Sequence, residues 1–257
     1  MVGSYKMSNL LIERREGAIV YLGFNRPDKR NAYNIELIAE LNSKLRQLSR
    51  DKEIGVLILH GDAKAFCSGG DLKEVRTLAE IGAEALRDQW FKPLMEMTRR
   101  LVTFPVPTIA AIRGAALAGG LEIALCCDFL VATDDAKIGD QHINHGLIPG
   151  GGATETIVNR IGPQRAKDLI LTGRRISGTE AARIGLALWS VPEEAFDDAL
   201  NAFAVQLSDK RREASRLVKM LIGPEHDFDG IAQEQDVAAY DMSGDEILTI
   251  LRGFGSD

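Results

Sequence analysis

The stretch RGAALAGGLEIALCCDF (residues 113–129) is apolar or glycine throughout its interior, with the single exception of Glu122. A buried carboxylate is costly unless it is paired, hydrogen-bonded or held neutral. Glu122 follows the Gly119-Gly120 pair by two residues, where an apolar helix is expected to begin. The unpaired N–H groups of a helix start attract negative charge. A first-turn Glu that stabilises a helix N-terminus is one reading of this carboxylate, and a reactive acid held among apolar neighbours is the other.

A second glycine pair stands upstream in CSGGDLKEV (67–75), also at the entrance to a helix. Taken singly, each pair reads as a tight turn. If the two converged, their backbone N–H groups would form an oxyanion hole.

Outward from these segments, LLIERREGAIVYLGFN (10–25) predicts two strands around Glu16-Gly17, and RPDKRNAYN (26–34) a turn-rich loop. Asn34 is a good cap for a helix carrying Ile35, Leu37, Ile38, Leu41, Leu45 and Leu48 at helical spacing. GVLILHG (55–61), PVPTIAAIRG (105–114) and DFLVATDDAKIG (128–139) predict strands, and 83–103 a helical stretch made irregular by Pro93. From Gly150 onward the pattern is helical, and segments that end at or near glycine mark helix ends. Alternating strands and helices followed by helices predict an α/β core over 8–195 and a helical region over 196–257. The apolar faces of those last helices need a partner surface, which another subunit could supply. Met7 is an alternative start, and residues 1–6 are left out of the fold prediction.

The 257 residues are 45% hydrophobic and 26% charged, with a net charge of -6, the profile of an ordinary globular protein. The acidic balance speaks against nucleic-acid binding. No apolar run reaches membrane-spanning length, and no secretory segment opens the chain. Cys67, Cys126 and Cys127 read as buried reduced thiols, which fits a cytoplasmic protein. Neither a metal-binding pattern nor a dinucleotide fingerprint is present.

NRPDKRNAYN, AFCSGGDLKE, PTIAAIRGAALAGGLEIALCCDF, GLIPGGGATETIVNRIG and LTGRRISGTEAARIGL occur in this order from about Leu10 to Val191. In order and spacing they resemble the enoyl-CoA hydratase/isomerase (crotonase) superfamily. That resemblance implies a crotonase-like spiral of ββα units, a helical C-terminal region mediating a homotrimer or a dimer of trimers, and an acyl-CoA thioester substrate. Coenzyme A would enter as part of the substrate, with no separate cofactor.

The resemblance assigns the oxyanion donors to the N–H groups of Gly70 and Gly119. It assigns CoA and substrate binding to Lys29, Arg30, Ala32, Ala65, Ser68, Asp71 and Leu72. On their own, Lys29 and Arg30 would read as a solvated turn. Lys219 reads first as a surface-helix residue and second as a phosphate contact. Glu122 matches the first of two glutamates used by hydratases of this family. The second falls at His142, in IGDQHINHGLIPGGG (138–152), with Asp140 two residues earlier and His145 three later. An imidazole can serve as acid or base near neutral pH; the other reading of His142 is a pocket-lining residue that only orients water.

Three functions follow: hydration of a 2-enoyl-CoA, another reaction on an acyl-CoA (isomerisation, thioester hydrolysis or C–C cleavage), or binding of CoA or RNA without turnover, where the acidic balance speaks against RNA. The C–C hydrolases that carry a His here pair it with an acid on the next glycine loop, where this chain has Gly151. The resemblance assigns the acyl pocket to 75–104, with Trp90, Phe91, Met95 and Met97 as candidates to face it.

Overall fold

The computed structural model describes residues 5–7, 10–222 and 228–254. A short strand β1 (Tyr5–Met7) pairs antiparallel with β2 (Leu11–Glu16), so part of the segment left out of the fold prediction extends a sheet edge. β2 turns back into β3 (Ile19–Phe24), and α1 (Ile35–Leu48) follows, its start capped by Asn34 accepting from the Leu37 N–H. The α1 residues predicted to face inward, Leu37, Ile38, Leu41, Leu45 and Leu48, are buried.

The next three turns repeat one plan. β4 (Val56–His60), β5 (Ala65–Cys67) and α2 (Leu72–Ile81) form the first. After α3 (Ala83–Leu86), a π-helical turn at Arg87–Phe91 and α4 (Lys92–Val102), the second is β6 (Thr108–Ile112), β7 (Ala115–Leu117) and α5 (Gly119–Leu125). The third is β8 (Phe129–Thr133), β9 (Lys137–Gly139), a 3-10 turn at His142–His145 and α6 (Ala153–Ile161). In each turn the first strand joins a seven-stranded sheet ordered β1-β2-β3-β4-β6-β8-β10, and the second joins a three-stranded sheet ordered β5-β7-β9. Between the third turn and the tail lie α7 (Pro163–Thr172), α8 (Gly178–Ile184) and β10 (Trp189–Val191). From β3 to β10 every neighbouring pair in the larger sheet is parallel.

Successive strand residues point to opposite faces, and both faces of the larger sheet are covered. Ile19, Tyr21, Val56, Ile58, Ile109 and Val131 pack beneath Phe196, Leu200 and Ala204 of α9 (Glu193–Ser208). Their neighbours Val20, Leu22, Leu57, Leu59, Ala110 and Leu130 enter the main core. This explains why the central strands read as continuous apolar runs rather than as alternations.

The tail continues with α10 (Arg212–Ile222), α11 (Phe228–Met242) and α12 (Asp245–Arg252). The expected partner surface for α11 and α12 is on the same chain: Ala238, Ala239, Met242, Ile247 and Leu251 belong to the main core, against α2, α3 and the π-helical turn. α10 keeps an apolar face open, with Val218, Met220, Leu221 and Ile222 exposed, and α11 leaves Val237 and Tyr240 exposed. Lys219 ion-pairs with Asp128 at 2.7 Å, which agrees with the surface-helix reading. Among the described residues no helix is long and apolar enough to cross a membrane.

Candidate active site

β5 and β7 are parallel neighbours, so the glycine turns leaving their ends lie side by side. A Cβ placed on Gly69 would sit 3.5 Å from the Gly119 nitrogen. Between β7 and α5, Ala118 adopts φ 49° and ψ −126°, a conformation that residues other than glycine rarely take. Several bonds hold it there: its N–H donates to Gly139 O at 3.0 Å, and its carbonyl accepts from Leu121 and Glu122 N–H. Neither the Gly70 nor the Gly119 N–H has an acceptor among the described residues. Two unsatisfied donors on adjoining turns, one at a helix start, suit a developing oxyanion.

Both turns open on a cavity of about 130 Å³. Its apolar wall includes Val75, Trp90, Phe91, Leu94 and Met242, and its polar wall Glu122, Gln141, His142, His145 and Arg175. The π-helical turn before Pro93 turns both Trp90 and Phe91 inward, an example of such turns recurring at functional sites. Of the other candidates, Met97 is buried in the core and Met95 is half-buried, and neither lines the cavity.

Glu122 is buried on the first turn of α5. Its Oε1 accepts from the Gly151 N–H at 2.7 Å and from the Ala153 N–H at 3.4 Å. Burial pushes its carboxyl up to about 7, opposed by attraction to His142 and reinforced by the charges of Glu234 and Asp140. Gly151 is needed for this approach, since a Cβ there would lie 2.6 Å from Glu122 Oε2. An acid at position 151 is therefore sterically excluded while Glu122 holds this pose.

His142 starts the 3-10 turn. Its Nδ1 lies 3.1 Å from both oxygens of Asp140, which is fully buried. This contact leaves Nε2 as the ring nitrogen able to meet a substrate. Burial works to lower the imidazole, but the Asp140 hydrogen bond and the charges of Glu122, Asp140 and Glu234 raise it to about 9. His145 also lines the cavity, with its ring edge-on to Phe254 at 5.2 Å. Burial, then the neighbouring His142 and Arg175 charges, lower its imidazole.

The residues assigned to CoA divide into two groups. Ser68 and Leu72 line the cavity with Gly70. Lys29 and Arg30 are exposed on the adjoining loop, whose carbonyls accept from Ser68 Oγ at 3.4 Å and Ser68 N–H at 3.1 Å. Ala32, Ala65 and Asp71 lie outside the cavity lining and fasten this loop. The Ala65 carbonyl accepts from Asn31 Nδ2 at 2.9 Å, Arg26 donates to the Ala32 carbonyl, and Asp71 pairs with Arg26 at 3.2 Å while capping α2. The three thiols are free and buried, and burial pushes Cys67 and Cys126 up to about 12.

Sequence reasoning assigned no role to several site residues, although Tyr33 and Arg175 lie within quoted motifs. Tyr33 is buried and stacks on Trp90 with centroids 5.4 Å apart. Arg175 donates to Gln141 Oε1 at 2.8 Å. Glu234, from α11, accepts from the Gly152 N–H at 2.7 Å and the Thr154 N–H at 3.3 Å.

The family model described as enoyl-CoA hydratase/isomerase matches residues 14–241. The chain belongs to the enoyl-CoA hydratase/isomerase family. It is 40% identical over 205 residues to the human enoyl-CoA hydratase domain-containing protein 2, mitochondrial, covering 77% of this chain and 68% of that one. It is 36% identical over 210 residues to the probable enoyl-CoA hydratase echA8 of Mycobacterium tuberculosis, covering 82% and 79%. The solved structure of enoyl-CoA hydratase from Bacillus anthracis superposes with a TM-score of 0.77 at 31% identity, over 99% of this chain and 96% of that one. This family likeness bears out the crotonase-type spiral expected from the motifs.

Proposed function

We propose that this member of the family hydrates a 2-enoyl-CoA, with Glu122 as base and His142 as acid. The observation that carries this reading is the Asp140-bound imidazole sharing one cavity with a buried carboxylate. Hydration needs one group to take a proton from water and another to deliver a proton to C2. With the Glu122 carboxyl near 7 and the His142 imidazole near 9, the pair is carboxylate and imidazolium between those values.

Water adds to C3 as Glu122 takes its proton. The thioester oxygen, gaining charge, is held by the Gly70 and Gly119 N–H groups, where losing one such donor costs about 3 kcal/mol of transition-state stabilisation. Nε2–H of His142 then protonates C2, and transfer of the proton from Glu122 to His142 restores the starting state. No metal or redox cofactor takes part, and coenzyme A is present only as part of the substrate. Lys29 and Arg30 are suited to its phosphates, with Ser68 and Leu72 beside the thioester. The open α10 face supports association as a homotrimer or a dimer of trimers, and the buried thiols suit the cytoplasm.

Glycine at 151, where an acid would be needed, weighs against the C–C hydrolase arrangement. The test follows the loss of the conjugated absorbance of crotonyl-CoA with wild type and His142→Ala. Turnover that collapses in the variant supports the reading. If turnover survives in the variant, the acid role of His142 is wrong. Release of free CoA, or conversion of a 3-enoyl-CoA without water uptake, would replace hydration by hydrolysis or isomerisation.

A further inference from the structure

The turn at 150–154 is held from two sides. Glu122 accepts from the N–H groups of Gly151 and Ala153, and Glu234 accepts from those of Gly152 and Thr154. Thr154 Oγ1 also donates to Glu234. The start of α6 has no side-chain cap of its own, and its N-cap residue is Gly152. The carboxylate that caps it therefore comes from α11, eighty residues away in sequence.

α11 is anchored where it crosses the site. Ile231 is buried, and its Cδ1 lies 2.9 Å from where a Cβ on Gly152 would stand. Asp236 pairs with Arg87 at 2.7 Å, and Met242 reaches the cavity wall.

We propose that Glu234 is a positioning residue of this site: its carboxylate holds the Gly152–Thr154 backbone on which the Glu122 carboxylate is docked. The mechanistic part of this proposal rests on the hydration reading. The charged and titratable groups around the pair are Asp140 beside His142, His145 one turn on, Arg175 on the cavity wall, and Tyr33 and Cys126 near Glu122. Glu234 adds a second carboxylate to Glu122 and raises both members of the pair toward their protonated forms. A neutral isostere at 234 therefore moves both titrations to lower pH.

The deciding measurement uses the intact, unliganded protein. The chain has four histidines, and His142 is assigned by the resonance that His142→Gln removes. NMR titration should place the His142 midpoint lower in Glu234→Gln than in wild type, by about half a pH unit or more. Amide exchange at Gly152 and Thr154 should quicken in Glu234→Ala while exchange in β4 stays as in wild type. With crotonyl-CoA, Glu234→Gln should lose about tenfold in kcat with little change in KM, and both limbs of its pH profile should move acidward. An unmoved His142 midpoint, or unchanged exchange at Gly152 and Thr154, would overturn the proposal. If wild type fails to hydrate crotonyl-CoA, the hydration reading falls, and the titration and exchange results still decide the role of Glu234.

Discussion

The Tyr33 hydroxyl occupies the space where a side chain on Gly119 would begin: a Cβ at 119 would lie 2.1 Å from Tyr33 Oη. Tyr33 cannot easily retreat, because it stacks on Trp90 and its N–H and carbonyl bond Gly69 and Asp71. Gly119→Ala must therefore displace the start of α5, and with it one oxyanion donor. We expect kcat for crotonyl-CoA to fall about 10²- to 10³-fold, with the far-UV circular dichroism unchanged.

Asp140 should set the alkaline limb of activity. Asp140→Asn removes the carboxylate that supports the imidazolium and leaves an amide at hydrogen-bonding distance from Nδ1. The His142 imidazole then falls from about 9 toward its ordinary value. The alkaline limb of kcat/KM should move acidward by at least about one unit, as measured by a pH–rate profile in the variant and wild type.

The same pair shapes stability against pH. The folded His142 value lies above its unfolded one, so its contribution is fully present below about 6.5 and is lost as pH rises through about 9. Thermal unfolding followed from pH 6 to 10 should show a decline over that window in wild type, and a shallower one in His142→Gln.

For Glu122 the folded value is also raised, so the stability it contributes is present below its ordinary value near 4.5 and lost as pH climbs through about 7. Glu122→Gln removes the charged form whose burial is unfavourable and keeps an acceptor for the Gly151 N–H. It should lose about 10²-fold or more in kcat and yet melt at a higher temperature than wild type at pH 9.

Gly151→Ala places a methyl group against the Glu122 carboxylate. The carboxylate must then leave the Gly151 N–H, and activity should fall by at least about tenfold, with overall secondary structure retained. Wild-type activity in this variant would show that the Glu122 pose is not the working one.

Much of this architecture was legible locally. Helical spacing located α1, and the isolated Glu122 together with the two glycine pairs marked the turns that meet at the cavity. The repeated motifs in order gave the spiral. The parts that were not legible depend on distant segments coming together. Nothing near Tyr33 announces that its ring will fill the space beside Gly119, and nothing near Glu234 announces a cap for α6. The amphipathic tail helices called for a covering surface without saying whose, and the chain supplies it itself for α11 and α12. The motif around Asp71 did not announce that its carboxylate would cap α2 and hold Arg26.

The reach of α11 back to the glycine turn bears on synthesis at the ribosome. The strands, both glycine turns, Glu122 and the Asp140–His142 pair all precede α9 in the chain. A nascent chain thus carries every strand of the spiral while α9, Glu234 and Met242 are still to come, with one sheet face uncovered, the cavity wall unfinished and α6 uncapped. Under the proposed function, competence arrives only with the last helices, so a chain that stops short of them holds its reacting groups and stays idle toward its thioester.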